Sequence, residues 1–230
     1  MFDIILNSSL FALALTLATY CVGLFLRQKL RHPLVNPLLI SIVLTMLFLI
    51  VFDIDYEVYK KNSDYVNYLL TPATICLAIP LYEQFSLLKR NWKAILAGIL
   101  SGALCCLVSV YLIALIFKLD HATYAALLPK SVTAAIGIPL AAQFGGFESI
   151  TVAAIALSGI LGNIFAEPFC KIFKITIPTA KGVAIGTSSH AIGTTKALEM
   201  GDVEGAMSSL SLVVAGLLTV CIAPLFAYLI

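Results

Sequence analysis

The residues most suited to chemistry lie in one polar stretch, GTSSHAIGTTK at 186–196, within a chain that is 61% hydrophobic. Its glycines let the backbone turn and expose N–H groups, and a helix that begins beside them presents the positive end of its dipole to an anion. The hydroxyls can bind a carboxylate or satisfy an interrupted backbone, while the histidine and the lysine add charge or proton exchange. The stretch predicts a substrate site for an anion, made of Gly186, Ser188, Ser189, His190, Gly193, Thr194, Thr195 and Lys196.

The same stretch has a second interpretation, as a polar cytoplasmic loop. The helix that follows would then hold Glu199, Asp202 and Glu204 in its first turn. We favour the binding site because Ala184 and Ile192 belong to an apolar side of the stretch that is compatible with a membrane.

A second candidate is LPKSVT at 128–133, in which Lys130 precedes a short apolar segment and has Ser131 and Thr133 beside it. An ammonium group with neighbouring hydroxyls suits a carboxylate and a phosphate headgroup equally well. An isolated lysine at the edge of a membrane is also a common snorkelling anchor, and the sequence leaves both interpretations open.

Glu167 lies in a later apolar run, with Asn163 one turn earlier. A carboxylate inside a membrane is a proton site, a cation site or the partner of a buried cation. Glu167 is also close enough to a basic segment to lie at the membrane interface. We take His190, Glu167 and Asn163 as the candidates for proton or ion coupling.

The composition identifies an integral membrane protein. Only 11% of the residues are charged, whereas soluble domains have roughly a quarter. The net charge of +2 is too small to imply a nucleic-acid partner. The six cysteines include no C-x-x-C pair and are read as small core residues.

The sequence lacks the signatures of several enzyme and pump classes. It contains no Walker A loop, no G-x-G-x-x-G fingerprint and no H-E-x-x-H motif. Ser189 and His190 are adjacent with no visible acid partner, and adjacent helical residues do not face each other. We therefore predict no catalytic residues, no metal and no cofactor, and expect any energy to come from a gradient.

Six apolar runs are long enough, or nearly long enough, to cross a bilayer, which takes about 20 residues. They are 4–26, 34–52, 65–88, 94–117, 150–173 and 206–230. We expect the first to be a retained helix rather than a signal peptide, since no basic residue precedes it and no A-x-A site follows it. Pro72 and Pro80 predict a broken third helix, and KRNWK after it reads as a basic loop.

Two apolar segments, 132–144 and 182–198, are too short to cross as ordinary helices. The positive-inside rule places Lys171, Lys174 and Lys181 in the cytoplasm only if 132–144 returns to the side from which it enters, and the same argument lets 182–198 dip in from the cytoplasmic side. The alternative is that both cross as half-helices, which would put these lysines outside. The basic segment after the first helix places the amino terminus outside.

Weak internal repeats connect these segments. IPLYEQF at 79–85 returns as IPLAAQF at 138–144, and AIG at 135–137 returns at 191–193. The offset of the second match also pairs Glu148 with Glu204 and Pro168 with Pro224. A repeated unit of short broken helix plus packing helix is typical of secondary transporters, although such common residue types also repeat by chance.

Three motifs carry a resemblance to a known family: LPKSVT, GILG at 159–162 and KGVAIGTSSHAIGTTKALEMGDVEGAMSSLSLVVAGL at 181–217. With LVNPLL and IPLYEQ upstream, the chain from 33 to 224 resembles the LrgB/CidB family of bacterial inner-membrane proteins. The matching positions are Lys130, Ser131, Thr133, Gly186, Ser189, His190, Gly193, Thr194, Glu204, Gly205 and Ser208.

The resemblance implies two roles. One is a holin-like or antiholin-like function that modulates murein hydrolase export and autolysis, alongside a small LrgA/CidA-like membrane partner. The other is transport of small carboxylates such as pyruvate, or glycolate and glycerate in the related plastid protein. It also implies a multi-pass protein of the bacterial inner membrane.

We predict an all-α integral membrane protein with one transmembrane domain over 1–230, about six full transmembrane helices and two short broken or re-entrant segments. We expect a secondary transporter of a monocarboxylate, with proton coupling, because a holin-like pore has little use for buried charges and proline-broken repeats. The alternative is the antiholin-like role. The expected partners are the carboxylate, membrane lipid, the LrgA/CidA-like protein and further copies of this chain.

Overall fold

The computed structural model describes residues 8–30, 36–63, 66, 68–69, 72, 75–76 and 78–230. Every regular element in these residues is a helix, so the predicted all-α class is confirmed. The helices are α1 Ser9–Leu30, α2 Pro37–Val51, α3 Tyr56–Asn62, α4 Ala78–Glu83, α5 Phe85–Phe117, α6 His121–Leu127, α7 Ala134–Gln143, α8 Glu148–Ile172, α9 Pro178–Met200 and α10 Asp202–Ala227. They fall into two compact units, 1–76 and 77–230.

The first unit contains α1, α2 and α3. Asn36 caps α2, and its side-chain oxygen accepts from the N–H groups of Leu38 and Leu39 at 2.8 and 3.3 Å. Thr19 on α1 meets Ser41 on α2 through hydroxyl groups 2.9 Å apart. Small hydroxyl residues of this kind hold membrane helices together without burying an unsatisfied polar group.

Within the described residues, four helices are long and apolar enough to cross a membrane: α1 from Leu10, α5 from Lys89, α8 and α10. The apolar helix α2 has 15 residues and is shorter. Six spans are predicted by the sequence, but parts of 4–26, 34–52 and 65–88 lie outside the described residues. The four long helices support a membrane-integral fold, and the number of crossings stays a prediction.

The basic segment KRNWK is helical, so the predicted loop is wrong. The helix α5 begins at Phe85 and runs through these residues to Phe117. No proline or glycine occurs between Phe85 and Trp92 to stop it. The interruption lies earlier, at Gln84, which separates α4 from α5 with φ −98° and ψ 16°.

The helices α6 and α7 form a helical hairpin, called here the first hairpin. The ring of His121 at its beginning lies 3.0 Å from the carbonyl oxygen of Phe144 at its end. Leu128 and Leu140 belong to one buried apolar cluster. The chain therefore turns back on itself between them, and residues 128–133 form the tip.

The helix α9 also turns back on itself, at His190, and is called here the second hairpin. His190 has φ 42° and ψ −142°, which no helix contains. A methyl group at Gly193 would lie 3.1 Å from Ile185 Cγ2 and 3.4 Å from the Ile185 carbonyl oxygen. In a straight helix, positions eight residues apart are about 12 Å apart, so the two halves lie side by side.

Contacts with α10 give the path of the second hairpin. Gly182 meets the backbone of Glu204, and Gly186 meets the backbone of Ser208, so the first half runs along α10 in the same direction. Thr194, in the second half, meets Ser208 again. The first half of α9 thus runs from the beginning of α10 towards its middle, and the second half runs back towards the beginning of α10.

The two hairpins enter from opposite ends of α10. Tyr124 in the first hairpin donates a hydrogen bond of 2.7 Å to the carbonyl of Phe226, near the end of α10. Lys181 in the second hairpin lies 3.7 Å from Glu204, near its beginning. Each hairpin returns to the end from which it came, and this path agrees with the re-entrant alternative for both short segments.

Each hairpin is followed by one long helix, α8 or α10. The sequence offset that pairs Glu148 with Glu204 and Pro168 with Pro224 aligns these two helices. It also pairs Ala134, where α7 begins, with His190, where the second half of α9 begins. A hairpin plus a single crossing reverses direction, so the two hairpin-plus-helix segments are related as inverted repeats, an arrangement known from secondary transporters.

Candidate functional site at the hairpin tips

His190 forms the tip of the second hairpin and is 3% exposed. Its backbone lies in the region of positive φ that favours glycine, and a residue held there costs of order 1–3 kcal/mol. Its ring Nε2 lies 3.0 Å from the carbonyl oxygen of Ile155 on α8. A carbonyl only accepts, so Nε2 carries a hydrogen and Nδ1 is the atom that gains or loses a proton.

Two glycines of the GILG motif on α8 make room for this tip. A methyl group at Gly159 would lie 2.7 Å from His190 Cε1, and one at Gly162 would overlap the side chain of Ser189. Larger residues at either position would therefore push the hairpin away from α8. The spacing of this motif places both gaps on the side of α8 that faces the tip.

Side-chain hydroxyl groups donate hydrogen bonds to backbone carbonyls at the end of the first half of α9. Ser188 Oγ donates to the Ala184 carbonyl at 2.8 Å and lies 3.0 Å from Ser189 Oγ. Thr187 Oγ1 donates to the Val183 carbonyl at 2.8 Å. Ser189 is buried, whereas Ser188 is exposed. These bonds leave the hydroxyl groups beside the tip with further accepting capacity.

The second half of α9 is tied to α10 through Thr194 and Ser208, which are both fully buried. Thr194 Oγ1 donates to the His190 carbonyl at 2.9 Å and lies 2.8 Å from Ser208 Oγ. Ser208 also meets Gly186 through its backbone. Ser208 is absent from the predicted substrate site, and the family resemblance is the one signal in the sequence that points to it.

The first hairpin brings its polar tip to the interior of the fold. Lys130 is half-buried and donates to Ser131 Oγ at 3.2 Å. Thr133 precedes α7, and its side chain makes no capping hydrogen bond. The first N–H groups of α7 therefore have no capping side chain from Thr133. They lie at the tip and give it a positive electrostatic potential.

The two tips approach each other beside Ile155. A methyl group at Gly137 on α7 would lie 2.6 Å from Ile155 Cδ1, and the carbonyl of the same Ile155 accepts from His190. The two tips that approach Ile155 thus carry two helix beginnings, an ammonium group, an imidazole and several hydroxyls, which are group types that suit a carboxylate.

Asn163 and Thr195 lie farther along the second half of α9. The side-chain amide of Asn163 donates to the Ile192 carbonyl at 2.9 Å and to Thr195 Oγ1 at 3.0 Å. Thr195 itself donates to the Ile192 carbonyl at 2.8 Å. These bonds attach the hairpin to α8 below its tip.

Glu167 and Lys196 meet at the base of the second hairpin, not at its tip. Lys196 Nζ lies 3.2 Å from Glu167 and 3.4 Å from Glu199, and Lys171 lies 2.9 Å from Glu167. From Gly159 to Glu167, α8 rises by about 12 Å. The predicted coupling residues therefore lie at different depths along α8: His190 of α9 contacts it near Gly159, whereas Glu167 lies at the base. Glu167 and His190 are not in contact.

Comparison with known proteins gives the family. The chain matches the LrgB-like family over residues 16–229. It belongs to that family. It is 38% identical to the antiholin-like protein LrgB of Bacillus subtilis (strain 168), over 97% of each chain. It is 36% identical to the proteins of the same name from Bacillus mycoides (strain KBAB4) and Bacillus cereus (strain B4264), over 94% of each chain.

The LrgB assignment confirms the predicted resemblance, and no solved structure matches the chain. The motifs that carry the resemblance now have structural roles. LPKSVT is the tip of the first hairpin, GILG receives the tip of the second, and the long motif at 181–217 forms the second hairpin with the helix against which it packs. The three motifs that carry the family resemblance thus lie at the two hairpin tips or on the helices that contact them.

Proposed function

We propose that this protein is a secondary transporter of a small organic monocarboxylate of the pyruvate or glycolate type, in the bacterial inner membrane and coupled to protons. The observation that carries the proposal is the approach of two oppositely oriented hairpin tips beside Ile155, with Lys130 on one and His190 on the other. In transporters built from inverted repeats, substrates bind where interrupted helices meet near the middle of the membrane.

The chemistry of the tips favours one carboxylate. Lys130 supplies the full positive charge, and the beginnings of α7 and of the second half of α9 add the partial charges of their free N–H groups. Ser131, which accepts from Lys130, places a hydroxyl donor beside the ammonium group. While His190 is neutral, one lysine with neutral donors balances a single negative charge.

His190 gives the site a group that responds to protons. Its Nε2 hydrogen is directed to the Ile155 carbonyl, so protonation adds a hydrogen and a charge at Nδ1. A protonated ring attracts the carboxylate, and a neutral ring releases it. Binding of the anion and binding of a proton at His190 are therefore mutually favourable, as coupled transport requires.

The antiholin-like role is the second candidate, and the relatives' names support it better than they support any particular substrate. In this role the protein would modulate murein hydrolase activity and autolysis together with a small LrgA/CidA-like membrane protein. Control of a pore makes no use of a saturable carboxylate site. The two functions therefore predict different behaviour of the isolated protein.

The test is uptake of radiolabelled pyruvate and glycolate into proteoliposomes that contain only this protein, with and without an imposed pH gradient. We expect saturable, gradient-stimulated uptake with no leakage of a trapped dye. His190→Ala is expected to abolish coupled uptake, and His190→Gln, which keeps a donor but cannot titrate, to lose the response to the gradient. Dye leakage without saturable uptake would favour the antiholin-like candidate.

A further inference from the structure

A charged cavity of about 810 Å³ lies at the base of the second hairpin, away from the tips. The end of α8 and both ends of α9 surround it. We call it the vestibule. Its charged lining consists of Lys171, Lys174, Lys181, Lys196, Glu167, Glu199 and Glu204.

Part of this charge is neutralised within the lining. Glu167 accepts from Lys171 at 2.9 Å and pairs with Lys196 at 3.2 Å, and Lys196 also lies 3.4 Å from Glu199. These contacts are short enough for hydrogen-bonded ion pairs. Lys171 and Lys196 therefore have their partners already.

Two lysines of the vestibule are held more weakly. Lys181 lies 3.7 Å from Glu204, too far for a hydrogen bond, although its side chain is only 22% exposed. Lys174 makes no ion pair with any residue in the described part of the chain. Lys174 lines the same cavity, so the four lysines and three glutamates of the lining leave the vestibule with one positive charge in excess.

We infer that the vestibule is a second, weaker binding site for the carboxylate, in which Lys174 and Lys181 collect the anion before it reaches the hairpin tips. The inference rests on the proposed function and extends it to the route of the substrate. A cleft with excess charge of one sign raises the local concentration of the opposite ion and speeds its capture. The carboxylate of the substrate would bind the Lys181 ammonium group, which Glu204 approaches only to 3.7 Å.

The depth of the second hairpin separates the two sites. The tip lies beside Gly159 and the vestibule beside Glu167, about 12 Å apart along α8. This distance exceeds the reach of one small carboxylate. Each site can therefore be removed by substitution without changing the lining of the other.

The experiment measures binding of [3-13C]pyruvate to the purified full chain in a non-ionic detergent by NMR line broadening. Detergent of this kind excludes anionic lipid as the occupant. In a background with both Lys130→Gln and His190→Ala, which removes the charged groups of the tip site, we expect pyruvate still to bind with strong dependence on salt. Adding Lys174→Gln and Lys181→Gln should weaken that binding about two- to fivefold for each lysine removed.

The matched control is Lys118→Gln. Lys118 is an exposed lysine at the end of α5 with φ 51°, and Lys174 follows α8 with φ 53°, so the two substitutions disturb the backbone equally. We expect Lys118→Gln to leave binding unchanged. Lys181→Arg, which keeps the charge, should retain binding, and size-exclusion profiles compare its folding with that of Lys181→Gln.

The outcomes separate the two proposals. Unchanged pyruvate binding after loss of both lysines, in folded protein, would overturn the vestibule site and leave transport standing. Binding that depends on these lysines in a protein that takes up no pyruvate would support the vestibule and overturn the carrier. Loss of all binding with Lys130→Gln and His190→Ala alone would also overturn the vestibule, since every bound pyruvate would then be at the tips.

Discussion

The two helical hairpins share a path but differ in how their turns are built. The first turns over residues 128–133, and its two helices are held by an apolar cluster that includes Tyr124, Leu140 and Phe144. The second turns at His190 alone and in a strained backbone conformation. Glycines and hydroxyl groups attach it to α8 and α10, together with smaller apolar clusters that include Val183 and Ile185. The first hairpin is thus packed like an ordinary core, and the second by close backbone approach.

This difference teaches where the fold tolerates change. Apolar side chains can shift and repack, whereas a contact between a glycine and a neighbouring backbone leaves no atom that can move aside. Polar bonds at the second tip also fix the positions of groups that are proposed to meet the substrate. We therefore expect the second hairpin to respond more sharply to substitution, and four predictions test the comparison in order of decreasing effect.

The largest effect is expected from Gly186→Val. A Cβ at this position would overlap the backbone of Ser208, so the hairpin would have to leave α10. We expect loss of well over the 1–3 kcal/mol typical of overpacking, seen as aggregation or a collapsed melting temperature in fluorescence-detected size exclusion. Gly145→Ala is the control, because Gly145 has φ 79° but a methyl group added to it would meet no atom within 4 Å. Equal damage at both glycines would contradict the backbone-contact explanation.

The next effect concerns the backbone at the two equivalent turn positions. His190→Gly is expected to be more stable than His190→Ala by about 1–3 kcal/mol, because glycine accepts a φ of 42° without strain. Ala134→Gly, at the matching position in the first hairpin, should instead lose a little stability, about 0.5 kcal/mol or less, because Ala134 already has helical backbone angles at the first position of α7. Thermal unfolding of these three variants and the wild type checks the opposite signs, and equal signs would argue against strain at His190.

A moderate effect is expected when single hydrogen bonds are removed from each hairpin. Thr194→Val removes bonds to the His190 carbonyl and to Ser208 and should cost about 1–3 kcal/mol. Tyr124→Phe removes one bond to the Phe226 carbonyl and should cost about 1 kcal/mol.

Measurements of pyruvate uptake and of unfolding distinguish the roles of these two hydrogen bonds. Uptake of pyruvate should fall with Thr194→Val and persist with Tyr124→Phe, since the first bond lies beside the proposed site and the second at the far base. A double-mutant cycle of Thr194→Val with Ser208→Ala should give a non-zero coupling energy. Additive losses would mean that the two hydroxyls act independently.

The smallest effect is expected at the beginning of the first hairpin. Hydrogen bonds from the Thr123 hydroxyl and backbone hold the pKa of the Asp120 carboxyl below its usual value. The stabilisation is therefore present above the usual pKa of the carboxyl and disappears as the pH falls through the lowered value. The difference in melting temperature between wild type and Asp120→Ala should be small at neutral pH and should shrink in acid. A difference that grows in acid would contradict this assignment.

Much of the fold can be predicted from the sequence because its signals are local. The runs at 150–173 and 206–230 correspond closely to α8 and α10, since continuous apolar stretches leave helices as the way to satisfy the backbone in lipid. The repeat offset also aligns the helices that follow the two hairpins. The helix through KRNWK is not predicted, because its basic residues suggest a loop, although they form helices well.

Parts of the site could not be predicted, because they depend on which faces of α8 meet the hairpins. The sequence groups His190, Asn163 and Glu167, yet the structure places them at successive depths. The sequence analysis also includes Lys196 in the anion site, but in the structure this lysine pairs with Glu167 at the base of the second hairpin. Nothing in their spacing shows that the chain reverses between them.

The sequence by itself determined that this is an all-helical membrane protein of the LrgB family, with its polar residues gathered in two short segments. These properties follow from composition, run length and motif, which are local. The tertiary structure alone decided that the segments turn back, that the hairpins carrying Lys130 and His190 approach each other beside Ile155, and that the vestibule lysines lie apart from their tips. The physical reason is that glycine gaps on α8 and α10 set how closely each hairpin can approach, and that approach fixes which polar groups become neighbours.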